Sequence, residues 1–276
     1  MTTFQTVVYA ILNGLSEFLP ISSKAHNILI PYLVGWQAPS GALLGAMALG
    51  ASSALFIYFR HDWASMISCF LQVLIYRKRP MTLDERLPIF LMVSTIPLVI
   101  VSYYFHGNFP DNEWRPLTVA LSFAAMGLPL WFFDHMNRKI KGMFDWKWTD
   151  AILVGLIQST AVLPGWDHLG TVLIATSFLN YKREPGLKYA YFAAAPVLIG
   201  RTFYLLRDIN FHSPAPMLDL TWLSFAVAIV VSFLVSLLTL GGFQKHVLQK
   251  GFGQYIVYRW ILAGIVCGVY WLRARG

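Results

Sequence analysis

The sequence predicts an all-α polytopic membrane protein: about six transmembrane helices plus two re-entrant helical hairpins, arranged as an inverted-topology repeat. Three observations carry that expectation. The chain has too little charge for a soluble surface, apolar stretches of spanning length recur along it, and two related segments are broken midway by polar residues. Of 276 residues, 57% are hydrophobic and only 12% charged, about half the charged share of ~25% in soluble domains. So little charge cannot cover a surface facing water.

The spans come first. Gly41 to Arg60, Arg86 to His106, Pro116 to Asp134 and Leu220 to Leu240 are marked plainly by hydropathy, and Lys188 to Leu206 and Gln254 to Leu272 add two more. Each reaches the ~18 residues needed to cross a hydrocarbon core about 30 Å thick. Segment 62–76, with Trp63, fits a short interfacial helix. Pro97 and Pro196 interrupt spans and predict kinks. Trp63, Trp114, Trp222 and Tyr255 sit near span ends as interface anchors. The N-terminus shows no basic n-region with a small-residue cleavage site, so no signal peptide is expected.

Segments 4–35 and 148–180 break the pattern. One is interrupted by Leu19-Pro20-Ile21-Ser22-Ser23-Lys24-Ala25-His26, the other by Leu163-Pro164-Gly165-Trp166-Asp167-His168. Irregular backbone at membrane depth is tolerated only inside protein or beside a watery cavity. Both segments therefore predict helix–turn–helix hairpins that re-enter rather than span.

They also resemble each other. Ala10-Ile11-Leu12-Asn13-Gly14-Leu15 returns as Ala151-Ile152-Leu153-Val154-Gly155-Leu156, Leu19-Pro20 matches Leu163-Pro164, and Leu29-Ile30 matches Leu173-Ile174. The expected organisation is one membrane domain, 1–276, with a first repeat over 1–140 and a second over 148–276. Charge orients it. Loops 60–86, 134–150, 181–188 and 244–254 hold 14 Lys and Arg, whereas the opposite side holds only Arg115, Arg207, Arg273 and Arg275. The basic side is cytoplasmic by the positive-inside bias, so the first hairpin dips in from outside and the second from inside.

The same distribution explains the net charge of +8 without nucleic acid, because the cations sit in short loops between spans. Cys69 and Cys267 lie far apart in apolar surroundings, which indicates neither a disulfide framework nor a zinc site.

Chemistry-bearing residues concentrate in the broken segments. Glu17, Ser22, Ser23, Lys24 and His26 fall within ten residues of one another, and ionisable groups at membrane depth are functional candidates by default. Asp167 and His168 occupy the second tip, as an acid–base set or as the cap of a half-helix. Half-helix N-termini converging on one centre, with Lys24, suit an anion such as phosphate. Arg201 and Arg259 lie within or near spans, where an Arg either serves a site or snorkels to an interface.

At these residues the chain resembles the undecaprenyl pyrophosphate phosphatase family of bacterial inner-membrane proteins, the bacitracin-resistance type. The family's first motif, E-G-x-[ST]-E-F-L-P-[VI]-S-S-T-G-H, is similar to Asn13 through His26. Its second, running from [ST]-D-A to P-G-x-S-R-S-G, is similar to Thr149-Asp150-Ala151 through Gln158, Ala161, Pro164-Gly165 and Gly170. Weaker echoes at Thr95-Ile96-Pro97, Phe192 to Pro196 and Tyr258-Arg259 extend the likeness along nearly the whole chain.

The resemblance implies removal of the terminal phosphate of polyprenyl diphosphate, in recycling of the cell-wall lipid carrier, at a periplasm-facing pocket with a divalent metal (Mg or Ca). At the positions that match the motifs it implies Glu17, Ser23 and His26 as catalytic residues, with Ser22 and Gly165 binding substrate; at the positions that depart from them, the residue chemistry adds the expectation of His168 as a catalytic residue and of Asn13, Lys24 and Asp167 as substrate-binding ones. A homodimer is compatible with it. The departures are Asn13 for the motif Glu, Lys24-Ala25 for Thr-Gly, and Asp167-His168-Leu169 for Ser-Arg-Ser, so the motif Arg is missing. Two expectations follow: a phosphatase with a rewired site, in which Lys24 replaces the Arg and Ser23 or His26 is the nucleophile, or a relative that binds or translocates polyprenyl phosphate.

Overall fold

The computed structural model describes residues 1–108, 114–207, 209 and 220–275. Among them run α1 (Thr3–Ser16), α2 (Ser23–Val34), α3 (Gly41–Tyr58), α4 (Arg60–Ile75), α5 (Leu83–Asn108), α6 (Pro116–Met136), α7 (Trp148–Gln158), α8 (His168–Phe178), α9 (Arg183–Leu206), α10 (Trp222–Lys250) and α11 (Gly253–Arg273). Six of these, α3, α5, α6, α9, α10 and α11, are long and apolar enough to cross a membrane. The β pairing among the described residues is one isolated bridge, Lys141 to Tyr181. The fold class is the expected one.

The spans end where local chemistry stops them. Expected to end at Leu240, α10 continues to Lys250, because Phe243 and Val247 bury into the core and only Gly251, at φ 73°, turns the chain. At their N-terminal ends α5 and α9 begin earlier than hydropathy suggests, at Leu83 and Arg183, with Asp84, Glu85 and Glu184 in their first turns. Carboxylates there complement the helix dipole. Helix α4 buries Met66 and Val73 and turns Ile67, Leu71, Leu74 and Ile75 outward, as a helix lying in the interface does. Pro97 and Pro196 both lie inside their helices.

The four short helices are 14, 12, 11 and 11 residues long. At 1.5 Å per residue each extends about 16–21 Å, short of a hydrocarbon core of ~30 Å. Helices α1 and α2 pack on each other across the break at 17–22, and α7 and α8 do so across a 3-10 turn, Ser159–Val162, and the residues after it.

The first helix of each hairpin lies on a long helix from the other half of the chain, α1 on α10 and α7 on α5. The repeated glycine allows both contacts. A Cβ on Gly14 would stand 2.8 Å from Val235 Cβ, and one on Gly155 would stand 2.7 Å from the Ser94 carbonyl. Exchanging the halves also leaves the pairings α3 with α9 and α6 with α11 in place.

Beyond the core, the end carrying the basic loops is laced by polar contacts. Arg183 grips Asp134 through two nitrogens at 3.1 and 2.8 Å. Asp150 accepts from Lys141 and, at 2.6 Å, from the Tyr181 hydroxyl. Burial and the Asp150 carboxylate push that phenol up from its usual value. Trp146 stacks between Tyr181 and Tyr189. Together these contacts fix the base of the second hairpin.

Candidate active site at the hairpin tips

The two breaks meet. The Ser22 hydroxyl lies 3.5 Å from the Trp166 carbonyl, and a single buried guanidinium joins the tips more firmly. Arg259 of α11 is 0% exposed. Its Nε donates to the Pro20 carbonyl at 2.7 Å, its Nη1 to the carbonyls of Phe123 and Gly165 at 3.0 and 3.1 Å, and its Nη2 to Asp167. The Phe123 ring lies 4.6 Å from the guanidinium. A planar fork with five donors suits such a junction, which the three donors of an ammonium could not span. Of the two alternatives the sequence leaves for Arg259, serving a site or snorkelling to an interface, full burial at the tips matches the first.

Each tip starts its second helix in its own way. Ser22 takes φ 58°, a conformation rare for residues with a side chain. Its hydroxyl caps α2 by accepting from the Ala25 N–H at 3.3 Å. In the second tip the positive φ falls on Gly165, at 88°, where a Cβ would also strike the Phe123 backbone at 2.6 Å. Asp167 caps α8, accepting from the Gly170 N–H at 2.7 Å, while its other oxygen takes Arg259. Of the two sequence readings for Asp167, the geometry matches the cap.

Glu17, at the end of α1, is 2% exposed and faces Arg201 of α9. Nη1 of Arg201 lies 3.4 Å from both carboxylate oxygens. His168 begins α8 within electrostatic reach of Glu17, Asp167 and Arg201, and its buried Nε2 has no partner among the described residues. Ser23 is largely buried in the first turn of α2, beside Lys24, which is half-buried.

His26 stands behind the tip. Its Nδ1 lies 2.9 Å from the Ser22 carbonyl and its Nε2 2.6 Å from the Tyr258 hydroxyl. A carbonyl only accepts, so in the neutral ring Nδ1 carries the proton and Nε2 accepts from Tyr258. Asn13, one turn before Glu17, gives its amide nitrogen to Ser232 on α10 at 3.3 Å, and Ser232 donates to the Met47 carbonyl. Ser232 was invisible to the sequence reading, because a serine in an apolar span carries no motif.

The expected residues therefore divide. Glu17, Ser22, Ser23, Gly165, Asp167 and His168 converge at the tips. His26 holds the turn from behind, and Asn13 is engaged in helix packing. Among the described residues no group of three or more His, Cys, Asp or Glu side chains is placed to hold a metal ion, and Glu17 and Asp167 each face a guanidinium. These side chains do not form a ligand set for a divalent cation.

A family model described as "Bacitracin resistance protein BacA" matches residues 6–265. The match runs from within α1 to within α11.

Proposed function

The chain belongs to the bacitracin resistance protein BacA family, a phosphatase family, and from that premise we propose that it hydrolyses a polyprenyl diphosphate to the monophosphate. The observation that carries this reading is the junction of the two tips, with buried Glu17 at the end of α1 and the unpartnered His168 Nε2 at the start of α8. In our reading the protein lies in the bacterial inner membrane with this junction opening toward the periplasm, so that it serves recycling of the cell-wall lipid carrier.

The chemistry needs a nucleophile, a proton acceptor and a proton donor. Ser23 Oγ attacks the terminal phosphorus and passes its proton to Glu17. The bridging P–O bond breaks, and the polyprenyl monophosphate leaves with the electron pair as His168 protonates the bridging oxygen. Water then attacks the phosphoserine, returning a proton to His168, and Ser23 Oγ regains its proton from Glu17 as inorganic phosphate departs. General acid–base groups of this kind contribute about 10²- to 10⁴-fold each. His26, with both ring nitrogens engaged, acts as a positioning residue for the Ser22–Ser23 turn. Lys24, in the first turn of α2, adds positive charge for the diphosphate.

The test is phosphate release from a polyprenyl diphosphate by purified full-length protein in detergent, with and without a divalent cation. Wild-type release that Glu17→Ala and His168→Ala both abolish supports the reading. Wild-type release no higher than the Glu17→Ala background, with the lipid still bound, discards it in favour of a polyprenyl phosphate carrier, the reading that the missing motif Arg would favour.

A further inference from the structure

Among the described residues, the buried carboxylates paired with arginine are held in two different ways. Arg183 meets Asp134 through two nitrogens at 3.1 and 2.8 Å, and Arg259 meets Asp167 while its remaining donors go to three carbonyls. The 2.8 Å contact of Arg183 has the short geometry of a charge-assisted pair, about 2.7–2.9 Å, and Arg259 has all three guanidinium nitrogens engaged. The Arg201–Glu17 pair is unlike them. Arg201 reaches Glu17 through Nη1 alone, at 3.4 Å to each oxygen. Among the described residues its Nε and Nη2 make no hydrogen bond, and its side chain is 28% exposed against 1% for Glu17.

A guanidinium needed only to neutralise a buried carboxylate gains most by closing on it with both arms. Arg201 instead holds Glu17 loosely and leaves two donors on its open side. Beside it, His168 keeps a buried ring nitrogen without a partner and lies within electrostatic reach of both Arg201 and Glu17. A buried polar atom left unpaired is costly, and an acceptor-rich ligand would relieve it. Arg259 cannot serve such a ligand, being fully buried with its donors engaged.

We propose that Arg201, carried by the spanning helix α9, is the anion-holding residue of this site, and that its free guanidinium edge and His168 together grip the terminal phosphate of a diphosphate-bearing ligand. The proposal rests on the polyprenyl diphosphate reading above and adds its binding determinant. A hairpin tip that presents a His where a cation is needed is completed by an Arg from a neighbouring span, 184 residues from Glu17 along the chain. Guanidinium is the right group, because its planar edge takes two phosphate oxygens at once.

The experiment measures binding of farnesyl diphosphate, a short soluble probe, to the full-length protein in detergent by titration calorimetry, with farnesol as the uncharged control. Removing Arg201 alone would leave Glu17 buried and unpaired, so the informative pair is Glu17→Gln against Glu17→Gln/Arg201→Gln, which keeps the site neutral. The double variant is expected to bind the diphosphate roughly 10- to 100-fold more weakly than Glu17→Gln, the range for hydrogen bonds to charged groups, with farnesol binding unchanged. Adding His168→Arg to the double variant restores binding.

Equal diphosphate affinity in the two variants, or an equal loss for farnesol, overturns the proposal. So does failure of His168→Arg to restore any binding. Phosphate release assayed on the wild type separates the two claims. Arg201-dependent binding without release keeps the anion site and removes the phosphatase; release with Arg201-independent binding does the reverse.

Discussion

The two hairpins share a sequence pattern and a backbone solution, yet they put their side chains to different uses. Each opens with a short helix whose repeated glycine, Gly14 or Gly155, lets it lie against a long helix of the other half. Each breaks at a Leu-Pro step, passes a residue at positive φ, and starts its second helix from a side-chain cap. The first then presents Glu17 and Ser23 at the junction. The second gives Asp167 to Arg259, and the ionisable group it leaves at the junction is His168. A repeat preserves what the backbone requires and leaves the chemistry free to diverge.

That contrast can be broken experimentally, most severely at the junction itself. Arg259→Ala leaves three carbonyls and a buried carboxylate without their donor. Breaking a buried pair costs about 3–5 kcal/mol, so the variant is expected to lose most of its folded population in a detergent thermal melt. Arg259→Lys should recover little of it. A melt within a few degrees of wild type for Arg259→Ala would remove the guanidinium as the tie between tips.

The next effect separates chemistry from scaffold. Glu17→Gln should cut phosphate release by roughly 10²-fold or more while the protein stays folded. Asp167→Asn should retain release within about tenfold per folded molecule but melt earlier. The reverse pattern would move the chemistry to the second hairpin.

Smaller still are the packing glycines. Gly14→Ala and Gly155→Ala each force a methyl against a neighbouring helix, and overpacking of this kind costs about 1–3 kcal/mol. Similar losses at the two positions, read from thermal melts, would support equivalent roles in the two hairpins. The smallest change is Ser22→Gly, which relieves a positive φ but removes a cap. Capping by Gly in place of Ser costs only a few tenths of a kcal/mol, and the net shift is expected to stay within about 1 kcal/mol.

Most of the fold was legible because a bilayer constrains sequence so tightly. Six apolar runs and two broken ones follow from hydropathy and from Pro, Gly and Ser placement, and helix ends differ where burial outlasts hydropathy, as at Phe243 and Val247 of α10, and where charged first turns extend α5 and α9. The site was legible only in part. Glu17, Ser22, Ser23, Asp167 and His168 are local in sequence and announced themselves as polar residues in apolar hairpins. Arg259 and Arg201 stood out as charges in spans, but their partners lie 92 and 184 residues away, a distance that no periodicity encodes. For Asn13, the position within a motif suggested ligand binding, whereas its geometry with Ser232 is that of a helix-packing bond.

The central claim is that the two tips form one site, and a reversible crosslink tests it most directly. In a chain with Cys69 and Cys267 replaced by Ala, a Ser22→Cys/Trp166→Cys pair is treated with oxidant, and crosslinking and phosphate release are read on the same sample. The account predicts an intramolecular disulfide that halts release, with activity returning on reduction. No crosslink in a folded, active protein, or a crosslink that leaves release untouched, would contradict it.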